Sequence, residues 1–179
     1  MEKIEQPILL SENLCLNRVT TKDAAVIYFL RSNEHVGKYI ARKPQSNIQE
    51  AVKFINDRTE DVAIGKICYW GVFFKDSAEL IGTICLWNFN KTKTVAEIGY
   101  DLVPKYQGNG YMTQAVALVL DFGFRILHLQ QIDAFTQIEN AASIKLLVNK
   151  GFVLNTNRKD LDVPKNNIYE LLQKDYLKS

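Results

Sequence analysis

The hydrophobic pattern changes period several times along the chain. Leu14-Cys15-Leu16-Asn17-Arg18-Val19 reads as a first strand. Thr20 and Thr21 then offer an N-cap, and Lys22 to Leu30 has helical periodicity. A second helix is expected from about Ile48 to Thr59, where Ala51, Phe54 and Ile55 fall at i, i+3 and i+4 and Asn47 or Ser46 can cap. Ile67–Phe74, Leu80–Phe89 and Val95–Leu102 then read as strands. The short polar turns Lys75–Glu79 and Lys91–Lys93 join them into an antiparallel meander.

After Pro104 the period is helical again. Ala115, Leu118, Val119 and Phe122 form one apolar stripe, and Val116, Leu120 and Phe124 widen it round much of the helix, which predicts burial against a sheet. Gln131–Thr136 is a short strand and Ala141–Asn149 a helix, with Gly151 at the left-handed C-terminal position. Phe152–Asn155 and Ile168–Leu172 complete the strands. This order predicts an α/β fold: a mixed, mostly antiparallel sheet of about seven strands with helices on both faces and a right-handed crossover.

Composition narrows the function. A length of 179 residues suits one domain, 1–179. With 47% hydrophobic and 23% charged residues the chain has the profile of a folded protein. A net charge of +2 gives no reason to expect nucleic acid or an anionic membrane as partner. No apolar run approaches the roughly 20 residues of a membrane span. Glu2, Glu5 and Glu12 interrupt the first twenty residues, so no signal peptide is expected. Cys15, Cys68 and Cys85 are odd in number and widely spaced. They are expected as buried small hydrophobes in a reducing cytoplasm rather than as disulfides or a zinc site. His35 is expected in an irregular loop and His128 after a helix. Neither has a visible Ser or Cys partner for a hydrolytic triad, and no metal site is expected. The aromatics Tyr69, Trp70, Phe73, Phe74, Trp87 and Phe89 lie on predicted strands, as core or cleft wall.

The most informative segment runs from Tyr100 to Ala115. A strand ends, the loop Gln107-Gly108-Asn109-Gly110-Tyr111-Met112 follows, and a long apolar helix begins. Unpaired N–H groups and a positive dipole at a helix start favour phosphate, and glycines let the backbone approach it. Lys105 can add charge. A glycine turn feeding a core helix is the plainer alternative. A Walker loop is excluded because Tyr111 and Met112 follow Gly110, and a dinucleotide fingerprint because position 113 is threonine.

This loop resembles the acetyl-CoA loop of the GNAT superfamily of N-acetyltransferases, Gln/Arg-x-x-Gly-x-Gly/Ala, with Met112 in place of the usual small residue. Ala96-Glu97-Ile98-Gly99-Tyr100 is similar to the family's fourth strand. Asn140 to Phe152 is similar to its Asn-x-x-Ser helix ending in Lys-x-Gly-Phe. The likeness spans Leu14 to about Tyr176 and is nearest the branch of ribosomal-protein alanine and spermidine acetyltransferases. It implies a bulged fourth strand splayed from the fifth. It also implies acetyl-CoA as co-substrate, with the pantetheine arm pairing at Leu102 and Val103 and contacts to Asn140 and Ser143. An amine acceptor is the implied partner; a homodimer is expected only because dimers are the commonest assemblies.

The implied reaction is attack of a neutral amine on a thioester. An amine of pKa about 8 to 10 must first lose a proton. Glu97 is the first candidate base, against a solvated strand charge; Asp160 and Asp162 are alternatives. Ser143 matches the position that assists the leaving thiolate, against a helix hydroxyl bonding its own backbone. Asn140 can contact cofactor, cap its helix, or both. The first two helices and the loops Gly37–Ser46 and Asn155–Asn167 are expected to shape the acceptor site, for a peptide N-terminus in preference to a polyamine.

Overall fold

The structure, a computed structural model, describes residues 6–178. Glu2 and Glu5, on which part of the leader reading rests, lie outside them. The elements are strands β1 Leu9–Leu10, β2 Leu14–Asn17, β3 Cys68–Phe74, β4 Leu80–Trp87, β5 Val95–Leu102, β6 Gln131–Gln137, β7 Val153–Leu154 and β8 Asn166–Leu172. The helices are α1 Ala24–Ser32, α2 Glu34–Gly37, α3 Ile48–Ala63, α4 Tyr111–Asp121, α5 Ala141–Asn149 and α6 Gln173–Tyr176. All eight strands share one sheet in the order β1-β2-β3-β4-β5-β6-β8-β7. Every pairing is antiparallel except β5 with β6.

The sheet is mixed and flanked by helices, as the hydrophobic pattern predicts, with the two-residue β1 as an addition. Alternation along each strand divides the side chains between two faces. Ile98, Tyr100 and Leu102 of β5 lie with Ile84, Ile132 and Ala134 on the face that α4 covers with Met112, Ala115, Val116, Val119 and Leu120. The Ile, Leu, Val and Met side chains among them each contribute about 1.5–3 kcal/mol on burial. Glu97, Gly99 and Asp101 turn to the other face, where α1 and α3 build a second core from Ile27, Leu30, Ala51 and Ile55. The two apolar stripes of α4 and α3 thus place the phosphate-loop candidate and the acid candidate on opposite sides of one sheet.

Several expectations need correction. The bulge is not in β5, whose register with β4 is unbroken from Gly82↔Leu102 to Trp87↔Glu97. It lies at Ile81 of β4, since Val72 pairs with Gly82 and Phe73 with Leu80. His35 sits in the short helix α2, where the Asn33 side chain accepts from the Val36 amide. Only Cys68 of the cysteines is buried; Cys15 and Cys85 are half-buried. The helix after the glycine loop turns into a wider π turn over Phe122–Ile126, with the Leu127 amide bonding the Phe122 carbonyl at 3.0 Å. Asn47 caps α3 through the Glu50 amide at 3.1 Å, and Gly151 is left-handed at φ 87°, both as expected.

Candidate functional site

The parallel pair at the centre of the sheet is short. β5 pairs with β6 only over Val95–Glu97, against Gln131–Asp133. Beyond that β6 continues alongside β8 and β5 alongside β4. From Ile98 onward the two strands part, and Glu97 stands at the fork. The Val103 amide bonds the Ile81 carbonyl at 2.8 Å, and its own carbonyl accepts from Tyr106 at 2.9 Å. Main-chain groups alternate sides along an antiparallel ladder. Ile98, Tyr100 and Leu102 therefore turn theirs to the opening, while Val103 is committed to the fold. The Leu102 carbonyl also receives Gln107 Nε2 at 3.2 Å. An opened strand edge inside a sheet is a row of donors and acceptors suited to an extended amide chain.

At the far end of the slot the chain makes a 3₁₀ turn, Pro104–Tyr106, and enters the glycine loop. Gly108 and Gly110 have φ of 80° and 77°, where a side chain is strained. No heavy atom lies within 4 Å of the position a Cβ would take at either, so the space above them is open. The α4 ladder starts with the Gln114 amide on the Gly110 carbonyl at 3.1 Å. The preceding amides, Tyr111 to Thr113, have no intrahelical acceptor, and the helix dipole adds positive potential there. Asn109 turns its side-chain amide back to the carbonyls of Tyr106 and Gln107. Met112 buries its side chain in the core, leaving its amide at the helix start. Tyr106 and Tyr111 both pack edge-on to Phe74, which anchors the loop. Lys105 is not aimed at the loop; it pairs with Glu79 at 3.2 Å, and the Tyr106 hydroxyl donates to the same carboxylate. These residues fit a pyrophosphate held by main-chain donors.

Asn140 caps α5, its side chain accepting from the Ser143 amide at 3.2 Å. Ser143 Oγ does not bond back within its helix. It meets the Tyr100 hydroxyl at 2.9 Å, joining α5 to the open edge of β5. Burial raises the Tyr100 phenol to about 12. Its strand alternation puts Tyr100 on the face of Ile98 and Leu102, so its side of the sheet is readable, but its partner is 43 positions away.

On the other face, burial drives the Glu97 carboxyl up to about 7; Asn88 opposes this through a 3.4 Å hydrogen bond, and Asp133 and Asp160 add to it. Trp87 pairs with Glu97 across the strands and stays exposed. Asp160 is half-buried, but hydrogen bonds from Asn166, Val163 and Asp162 outweigh burial and hold its carboxyl low. Asp162 is exposed. Buried Asp133 pairs with Arg158 at 2.7 Å. Further along the same face, Thr83 Oγ1 donates to Asp101 at 2.6 Å and Arg42 pairs with Asp101 at 3.2 Å, a network with no motif behind it.

One cleft of about 1590 Å³ runs through the fork, lined by Gly108, Gly110, Asn140 and Ser143 at one end and by Glu97, Trp87 and Asp160 at the other. It exceeds a single-ligand pocket. Among the described residues no cluster of three His, Cys, Asp or Glu side chains is placed to hold a metal, and no helix is long and apolar enough to cross a membrane.

The family model described as an acetyltransferase (GNAT) domain matches residues 13–153. The uncharacterized N-acetyltransferase YoaA of Bacillus subtilis is 32% identical over 146 residues, 82% of each chain. The ribosomal-protein-S5-alanine acetyltransferase of Vibrio fischeri superposes with a TM-score of 0.80 at 22% identity, covering 96% of this chain and 99% of that one. The spermidine N-acetyltransferase of Vibrio cholerae, solved with CoA and spermine, gives 0.78 at 23% identity, covering 93% and 99%.

Proposed function

This chain belongs to the GNAT acetyltransferases, and from that premise we propose that it holds acetyl-CoA and an amine acceptor together and transfers the acetyl group directly, with a peptide N-terminus as the favoured acceptor. The observation that carries this reading is the fork: an opened strand edge with a titratable carboxyl at its apex. When bound, the co-substrate supplies the thioester. The amides of Gly108 to Met112 hold its pyrophosphate, the open edge at Leu102 pairs with its amide arm, and Asn140 lines its path.

Glu97, raised towards neutrality, accepts the proton that the amine must lose. Tyr100, protonated at neutral pH and bonded to Ser143, directs a hydroxyl donor at the leaving sulfur. Asp160 is the weaker base because its oxygens are already taken up within its loop. Arg158 answers Asp133 and Glu170, which takes two acids from those a polyamine could use, while Glu97, Glu139, Asp160 and Asp162 line the cleft with no ion pair among the described residues.

Isothermal titration with acetyl-CoA and thiol release with a panel of amines test the proposal. Binding together with amine-dependent release that Glu97→Gln suppresses is the expected result. Binding without any amine-dependent release sinks it.

A further inference from the structure

The wall of the cleft beyond Asp101 carries three arginines: Arg31 near the end of α1, Arg42 in the loop between α2 and α3, and Arg58 on α3. Arg42 is answered by Asp101 at 3.2 Å and also donates to the Leu30 carbonyl at 2.7 Å. Arg58 is answered by Asp61 at 2.7 Å, an acid it shares with Lys66. Arg31 has no ion-pair or hydrogen-bond partner for its guanidinium among the described residues. Its guanidinium carbon sits over the Phe54 ring, 3.8 Å from the centroid, and its Nε is buried without a partner. Burial, and Arg42 beside it, push its pKa down. A half-buried cation among like charges is a costly arrangement that an anion relieves. The contact with Phe54 holds the guanidinium against the cleft wall, and its fork of donors suits a two-oxygen anion.

The two ends of this face differ in sign. Glu97 stands at the fork, and the arginines gather where Asp101 leaves β5. Four residue steps along the strand separate Glu97 from Asp101, about 13 Å. We propose that the acceptor amine belongs to a molecule that also carries an oxyanion, a carboxylate or a phosphate, several bonds from the amine, and that Arg31 receives this group while the amine lies beside Glu97. The proposal rests on the amine-transfer reading above and adds the chemical class of its acceptor.

Matched acceptors test it. A tripeptide with a free C-terminal carboxylate is compared with its C-terminal amide, and an aminohexyl phosphate with aminohexanol, by acetyl-CoA-dependent thiol release. The charged member of at least one pair should show about tenfold or greater kcat/KM, and the pair with the larger ratio tells carboxylate from phosphate. Arg31→Gln should bring that ratio close to one without changing acetyl-CoA affinity, and Arg31→Lys should restore part of it. Thermal melting of each variant reports whether it folds. Equal kcat/KM within both pairs, spermidine outperforming the charged members, or a ratio untouched by Arg31→Gln overturns the proposal. If no amine is turned over, the transfer reading is what fails. Titration of the same pairs into CoA-loaded protein then still decides the anion preference, and equal affinities overturn it.

Discussion

The hydroxyl oxygens of Tyr100 and Ser143 lie 2.9 Å apart and tie the first turn of α5 to the strand edge that opens the fork. Burial keeps the Tyr100 phenol protonated at neutral pH. Either hydroxyl can donate within the pair, so one proton remains to direct into the slot. If the pair acts as a unit on the leaving sulfur, Tyr100→Phe and Ser143→Ala should each lower kcat by about a hundredfold. KM for acetyl-CoA should stay within about twofold, and the double variant should be little worse than either single one. A purely structural pair gives a different result: about 1 kcal/mol lost in melting experiments with kcat unchanged.

Glu97 sets the expected pH dependence. Its folded pKa of about 7 lies above the ordinary carboxyl value because burial disfavours the charge. As a base it works only when ionised, so kcat/KM should rise with pH through about 7 and then level. Glu97→Gln should lower the plateau by about 10² to 10⁴ and remove that inflection. The sign for stability is the reverse. A raised carboxyl pKa means the folded state holds its proton more tightly than the unfolded chain, so stability is lost as pH climbs from the ordinary value to about 7. Glu97→Gln should abolish that slope and melt higher than the parent protein at pH above 7. A melting curve with the same pH slope in both proteins counts against the assignment.

The glycine loop gives a graded prediction. Gly110 is left-handed, a conformation that costs a side-chain-bearing residue about 1–2 kcal/mol. Nothing in the protein occupies the space beside it. Gly110→Ala should therefore lower stability modestly while weakening acetyl-CoA binding by more than tenfold, because the added methyl intrudes on the ligand's side only. Gly110→Glu should abolish binding by placing a negative charge at the helix start. Calorimetric titration checks both, and a Gly110→Glu protein that still binds acetyl-CoA removes the loop from the site.

Local pattern made part of this site readable and long-range contact hid the rest. Val95–Leu102 and the glycine loop announce themselves through alternation and through residues that only a turn or a ligand needs. The capping role of Asn140 is equally local, a side chain bonding an amide three residues on. Ser143 meeting Tyr100, and Arg42 reaching from a loop to Asp101, join positions 43 and 59 residues apart. Those contacts exist only once the sheet has set α5 and α1 on its opposite faces. Lys105 shows the converse. Its position beside the loop suggests a phosphate contact, yet Glu79 lies within reach across the 3₁₀ turn and takes the charge. The Ile81 bulge is invisible for a related reason: which residue of an antiparallel pair is left over depends on both strands.

The pairing of Asp101 with Arg42 yields the last prediction. The Asp101 side chain is 8% exposed and that of Arg42 18%, so their charges are largely removed from water. Asp101 also accepts from Thr83, and Arg42 also donates to Leu30, so each end of the pair has a second partner. Breaking such a pair from one side leaves a buried charge behind, a loss of about 3 kcal/mol. Asp101→Asn should be worse than Arg42→Gln, because it leaves Arg31, Arg42 and Arg58 facing one another with only Asp61 in reply. For a chain of this size the loss corresponds to a melting temperature lower by about 6–12 °C. The double variant Asp101→Asn with Arg42→Gln should recover part of the loss, since no uncompensated charge remains at that position. Added phosphate should raise the melting temperature of Asp101→Asn more than that of the parent, by binding the freed guanidinium groups. Equal melting temperatures for the two single variants, or a double variant that loses the sum of both, would show that the pair's charge is not what holds this wall together.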